Sequence, residues 1–277
     1  MRPIAEIKNQ LICVSVAVVA ALAVAAPANA AQLHCGSTIT KSTKLTQDLT
    51  NCPGVGLRIG ADDITLDLNG HTVAAAAKRN PKAHGILNEG HDHVTITGGT
   101  VRGFGAYGVR LSHADHNVVR DMEMTSNWTG IGLFESDRGV VADNVMTGSK
   151  FVGANLTGGK RNRIADNEIA DSHGAGVFVH SSPAEPGKRH VVARNELTGN
   201  GIQILAGPQR SRLTANAVSA ARGDGISTFE PSTVLAGNAV VASLLQGIYA
   251  PNGATDRGGN TATDNGLDPQ CEGVVCS

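Results

Sequence analysis

The chain has 277 residues, 34 of them glycine; 41% are hydrophobic, 3% aromatic and 17% charged, and the formal net charge is -1. That charge lacks the basic surplus of a nucleic-acid binder. Glycines without a three-residue period exclude collagen, and abundant Val, Ile and Leu exclude disorder.

The chain opens with Arg2 and Lys8, an apolar run from Leu11 to Ala26, then Pro27 and Ala28-Asn29-Ala30. A basic start, a short apolar stretch and an A-x-A site predict a secretory signal peptide over residues 1–30, cut before Ala31. The run of 16 residues is shorter than the roughly 20 a bilayer span needs, so no membrane span is expected after cleavage; a retained anchor is the alternative. Cys13 lacks small residues just before it, which argues against a lipoprotein site. Residues 31–277 are expected to form one exported domain, secreted or, in a two-membrane bacterium, periplasmic. Four cysteines remain there: Cys35, Cys52, Cys271 and Cys276. An even number in an exported chain predicts two disulfides with three pairings open. Zinc is the weaker reading, since neither pair has CxxC spacing.

Ile64-Thr65-Leu66-Asp67-Leu68 and Val94-Thr95-Ile96 alternate apolar and polar residues, as strands with one buried face do. From residue 85 a phrase of glycine, aliphatic, any residue, then usually aliphatic recurs every 22 to 25 residues, at Gly85, Gly108, Gly130, Gly153, Gly176, Gly201, Gly225 and Gly247. Half a period later a second phrase carries Asn in its fourth place, as in Val141-Ala142-Asp143-Asn144 and Ile164-Ala165-Asp166-Asn167. No window keeps helical spacing. Short strands at a fixed period describe an all-β fold, a parallel β-solenoid of about nine coils of about 22 residues each. Leucine-rich repeats would need more Leu at fixed places, and propeller blades about 40 residues. The glycines are expected to serve tight corners. Asn144, Asn167, Asn195, Asn216, Asn238 and Asn260 are expected to stack at the next corner, their amides bonding to neighbouring coils. Ser182 to Lys188 interrupts one coil as an extra loop of about five residues, of the kind that can line a binding surface.

The glycine-aliphatic and x-x-Asn-x-aliphatic phrases resemble the right-handed parallel β-helix repeat proteins of the pectate-lyase-like superfamily. More narrowly, Cys35-Gly36-Ser37-Thr38-Ile39-Thr40 with Asp63 to Val73, and the close from Gly258 through Cys271 to Cys276, resemble secreted bacterial β-helix proteins of unassigned function. The resemblance covers residues 33–277. It implies a single-stranded right-handed β-helix; for activity it implies only a range, because the superfamily hosts lyases, glycoside hydrolases, uronan epimerases and proteins with no known reaction. On that fold, coils stacked at roughly 4.8 Å hold the two ends about 40 Å apart, beyond disulfide reach. The expected bridges are therefore local, Cys35–Cys52 and Cys271–Cys276, closing the two ends.

Counted from each glycine, the second following residue should point outward: Leu87, Arg110, Gly132, Asn155, Phe178, Gln203, Ser227 and Tyr249. The column holds one cation and no carboxylate, too little for a calcium site or a paired-carboxylate glycosidase; no cofactor is expected, with calcium left as an open alternative that no motif supports. The turn beyond is richer. Asp92, Asp115, Asp137 and Lys160 share the seventh place, and His93, His116, Arg138 and Arg161 the eighth, with His91, His113 and Glu135 alongside. A His beside carboxylates can serve as base, and an Arg can neutralise a uronate. His113 or His116 is the expected base, Arg110 or Arg138 the uronate clamp, and Glu135 or Asp137 the supporting acid; the alternative is a solvated turn whose charges pair along the stack. Ser172-His173-Gly174, Asn80 to His84 and Gly223-Asp224-Gly225 match no complete polygalacturonase or epimerase signature. Tyr107, Trp128, Phe151, Phe178 and Tyr249 are expected near the corners or on the outward strand, where rings can stack on sugars. The sequence thus predicts a monomer that engages a polysaccharide along its coils, as a uronan lyase or C5-epimerase, or alternatively as a non-catalytic carbohydrate-binding or structural protein.

Overall fold

Each repeat lays down three short strands separated by corners, as in Thr129–Phe134, Val140–Ala142 and Val145–Thr147. The computed structural model describes residues 32–78, 80–207 and 210–277; the expected signal peptide and Cys13 lie outside them. Leu33–Ser277 forms one compact unit. The first strand of every repeat joins one parallel sheet of eleven strands, running from Ser37–Ile39 to Cys271–Glu272. Eleven strands bound ten turns, one more than the nine expected. The second and third strands form two further faces, linked where Thr95–Arg102 and Val118–Thr125 run unbroken around the corner between them. All pairings are parallel and the crossovers right-handed, the hand that twisted strands of L-residues favour. Among the described residues there is no helix, and so none long and apolar enough to cross a membrane.

The core is a set of aliphatic columns. Ile86, Val109, Ile131, Ala154, Val177, Ile204, Ile226 and Ile248 stand in register on the first sheet, all at most 1% exposed. Period-two alternation puts them inside, and the coil is too narrow for many rings, so Phe104 is the one aromatic buried with them. The glycine preceding this column is required by close approach. A Cβ on Gly130 would stand 2.5 Å from the carbonyl oxygen of Gly153 on the next coil.

The asparagine column is a continuous buried ladder. Asn144 donates its amide to Asn167 Oδ1 at 2.9 Å, Asn167 to Asn195 at 2.9 Å, and the chain runs on through Asn216 and Asn238 to Asn260. Each of these oxygens also accepts the preceding asparagine's backbone N–H, satisfying donors the corner removes from the strand ladders. Disulfides Cys35–Cys52 and Cys271–Cys276 close the two ends, as expected.

One register expectation is corrected. Phe178 pairs with Leu205 rather than Gln203, because this coil is offset by two residues. Gln203 falls at the place of the repeating glycine and is fully buried, where its amide donates to the Ser219 carbonyl at 2.9 Å. Leu205 takes the outward position.

Candidate functional site

The six residues singled out in the sequence fall into two groups. Arg110, His113 and Glu135 lie on the outward side of the first sheet and the turn that follows its strands. Asp137, His116 and Arg138 sit farther round that turn.

Arg110 projects outward from Tyr107–Ser112, between Leu87 and Gly132 on the adjacent strands. Its guanidinium carbon lies 5.0 Å from the centre of the Phe134 ring, and its Nε is buried without a hydrogen-bond partner. Tyr107 meets Phe134 edge-on at 5.3 Å and stacks on His84 at 5.7 Å. Gly132 makes this cluster fit, since a Cβ there would stand 2.7 Å from the Tyr107 ring and 2.8 Å from Phe134. Burial, reinforced by Arg110 and Arg58, pushes the His84 pKa down to about 4, so its ring is neutral at pH 7. Burial raises the Tyr107 pKa, keeping its hydroxyl protonated. Neither His84 nor Phe134 belonged to a repeated motif. The signal for them was Gly132, a glycine in a column otherwise filled by side chains.

At the end of the same strand, His113 Nε2 lies 2.9 Å from Glu135 Oε2, and its Nδ1 lies 3.1 Å from the Ser112 hydroxyl. His113 and Glu135 occupy corresponding places on adjacent coils. Ser182, from the inserted loop, donates its hydroxyl to Glu135 Oε1. That bond, and then His113, hold the Glu135 carboxyl below the usual range, so it is ionised at neutral pH. The loop also sends Glu185 to Lys160 at 2.6 Å. In the neighbouring row of Ser112, Phe134 and Thr157, His180 stacks on Phe178 at 4.5 Å, and its Nε2 lies 2.7 Å from the Thr157 hydroxyl.

Asp137 is engaged differently. Its Oδ1 accepts the Lys160 backbone N–H at 2.7 Å; Asp115 likewise takes the N–H of Asp137 at 2.8 Å, and Asp92 that of Asp115 at 2.6 Å. This acidic column ties coil to coil. Beside it, His93 and His116 stack with centroids 4.7 Å apart and planes 10° off parallel, and Arg138 Nη1 lies 3.0 Å from His116 Nε2. Among the described residues, no group of three or more His, Cys, Asp or Glu converges on a point that could hold a metal ion.

The corner that leads into the first sheet carries an exposed aromatic pair. Trp128 and Phe151 stack at 6.1 Å, and Trp128 borders an open groove of about 650 Å³ with Pro81, Gly105, Ala106 and Tyr107. Tyr249 meets Phe229 edge-on at 5.8 Å farther along the solenoid.

Solved structures share the fold. The periplasmic alginate epimerase AlgG superposes with a TM-score of 0.59 at 14% identity, over 88% of this chain and 74% of its own. The Dettilon tailspike protein gives 0.57 at 16% identity over 87% of this chain and 60% of its own. XylC, solved with xylose, gives 0.55 at 12% identity over 70% and 38% respectively. This chain therefore spans less than two thirds of the tailspike length and little more than a third of the XylC length. Curated protein sequences give no match. The family model described as periplasmic copper-binding protein (NosD) matches residues 36–219, from the first strand of the solenoid to the strand Ala217–Ser219, and the chain belongs to that family.

Proposed function

We propose that this is an extracytoplasmic protein that binds acidic polysaccharide across the outward face of its first sheet and abstracts the C5 proton of a uronate unit, as a lyase or C5-epimerase does. One observation carries the reading. Arg110 and His113 project from a single strand and its turn, the first with a partnerless Nε and the second oriented by an ionised Glu135. Arg110 neutralises the uronate carboxylate, which acidifies the neighbouring C–H. With Nε2–H donated to Glu135, the His113 lone pair sits on Nδ1, and it receives the proton once the Ser112 hydroxyl that donates to it turns away. Return of a proton to the opposite face gives the epimer. Breakage of the C4–O bond, with a proton passed to the leaving oxygen, gives the unsaturated product; Tyr107 is the protonated hydroxyl of the cluster suited to donate it. The fold likeness to an alginate epimerase and to a xylose-bound protein supports a carbohydrate partner. Two disulfides, and the periplasmic description of the family, support export.

A second reading, non-catalytic carbohydrate binding, is favoured by the exposed Trp128–Phe151 pair, a ready platform for sugar rings. His113→Ala separates the two. Loss of turnover of polygalacturonate or alginate with binding retained supports the catalytic reading. Turnover unchanged in His113→Ala refutes it. No turnover by the unaltered protein, with binding that Trp128→Ala abolishes, establishes the second.

Copper, which the family description implies, does not fit the described residues. All four of their cysteines are in disulfides, and Met122, Met124 and Met146 are buried in the core. His93 and His116 come nearest to a ligand pair, yet parallel rings 4.7 Å apart aim their nitrogens side by side rather than at one ion. Two imidazoles bound at about 2 Å each need their nitrogens within about 4 Å, and Arg138 already occupies His116 Nε2. No step is assigned to the metal.

A further inference from the structure

The columns of the turn continue beyond the residues that the seven- and eight-residue offsets identify. The Arg138 backbone N–H donates to the Lys160 carbonyl, and that of Arg161 to Lys188, so Arg161 stacks on Arg138 and Arg189 on Arg161. Val191 pairs with Arg212, which places Arg210 on Arg189 one coil farther. All four arginines are exposed, and all have positive φ, between 55° and 59°. This left-handed turn repeats on successive coils, so their side chains leave the solenoid in one file at steps of about 4.8 Å. Lys160 and Lys188 flank the file, and together with Asp137, Arg138, Arg161 and Arg189 they line a depression of about 280 Å³.

Among the described residues, Arg161, Lys188, Arg189 and Arg210 make no ion pair with a carboxylate. At the next corner, between the second and third strands, the chain treats arginine differently, for Asp166 grips Arg194 through two bonds of 2.7 and 2.6 Å. The whole chain carries 23 basic and 24 acidic residues, so acids to neutralise the file were available. Like charges stacked without counter-charge repel one another. Four guanidinium groups in line, with planar forks suited to carboxylate or sulfate, complement a ligand that brings negative charge at a matching repeat.

We infer that this file is a second binding site, for a linear polyanionic glycan lying parallel to the solenoid axis with successive carboxylates or sulfates on successive coils. A pyranose unit is about as long as the step between coils, which sets charge against charge. The inference rests on the glycan reading above for the class of polymer, and on the arginine file alone for the place. It also gives the inserted loop a role, since Glu185 holds Lys160 at the border of the file while Ser182 holds Glu135 in the sheet-face site.

The test measures affinity of the whole exported protein for polygalacturonate and for dextran sulfate over a range of salt. It compares the unaltered protein, Arg161→Gln/Arg189→Gln, Arg161→Lys/Arg189→Lys and Arg110→Ala. The glutamine double variant is expected to flatten the slope of log affinity against log salt by about 2, one for each cation removed. The lysine variant is expected to keep most of the slope, and Arg110→Ala to lower it by about 1, for the one cation the sheet-face site contributes. Circular dichroism checks that each variant is folded. An unchanged slope and affinity in the glutamine variant overturns the site, and a slope lost only in Arg110→Ala overturns it while leaving the sheet-face reading standing. Tighter binding of a duplex DNA oligonucleotide than of either glycan at equal salt overturns the assignment to glycans.

Discussion

Replacing Asn167 by alanine cuts the buried ladder at its middle. Asn167 Oδ1 accepts the Asn144 backbone N–H at 3.1 Å and the Asn144 amide at 2.9 Å. Its own amide donates to the carbonyls of Val141 at 3.0 Å and Ala165 at 2.9 Å, and to Asn195 Oδ1 at 2.9 Å. After truncation the Asn144 amide keeps the Val119 and Ala142 carbonyls, and Asn195 Oδ1 keeps the Asn167 backbone N–H. The Asn144 backbone N–H keeps nothing. One orphaned buried donor costs about 1–3 kcal/mol and the bonds of the two lost amide hydrogens about 1 kcal/mol each, so Asn167→Ala should destabilise by about 3–5 kcal/mol. Asn167→Asp should be no milder, although it keeps the shape. It removes both donors and sets a charge against three oxygens in a dry site. Denaturant unfolding with disulfides intact measures the loss. Hydrogen exchange at the Asn144 amide localises it, because a solenoid can open coil by coil. A loss below about 1 kcal/mol with Asn144 protection unchanged would refute the reasoning.

Gly130→Ala should destabilise by about 2–3 kcal/mol or prevent folding, since its Cβ meets the Gly153 carbonyl at 2.5 Å and a backbone atom cannot yield cheaply; thermal unfolding reads this. His190 is fully buried, and desolvation lowers its pKa from 6.5 to about 4. The unfolded chain binds that proton more readily, so the contribution of neutral His190 is present above about pH 6.5 and is lost as pH falls toward 4. A His190→Gln variant should therefore show a flatter loss of stability across that window, and an unaltered slope would contradict it. Removing Cys35–Cys52, 17 residues apart, should cost about 3 kcal/mol, and removing Cys271–Cys276, 5 apart, about 2 kcal/mol, by loop entropy. Serine double variants compared by denaturant midpoint test that order.

What the sequence displayed is what each coil must repeat. The glycine that lets backbones approach, the buried aliphatic column and the asparagine ladder recur because every coil meets the same constraint, and local bridges follow once the ends are far apart. The offsets to Asp137, Arg138, Lys160 and Arg161 held for the same reason. They failed after Gly176, where the Ser182 to Lys188 loop pushes the matching arginine out to Arg189 and breaks the count. Gln203 misled the register by standing where a glycine was due, its amide making bonds that the flanking motif does not announce. Arg110 and Tyr107 were visible in the sequence, but the cluster they form was hidden because His84 and Phe134 belong to no repeat and meet them only through space. Ser182 reaches Glu135 across 47 residues, a contact no periodicity encodes.

Proton NMR of polygalacturonate and alginate incubated with the purified protein, with and without calcium, tests the central claim most directly. The account predicts new unsaturated or epimerised uronate signals that Arg110→Ala and His113→Ala both abolish. Polymers left unaltered under both conditions, with no line broadening from binding, would contradict it.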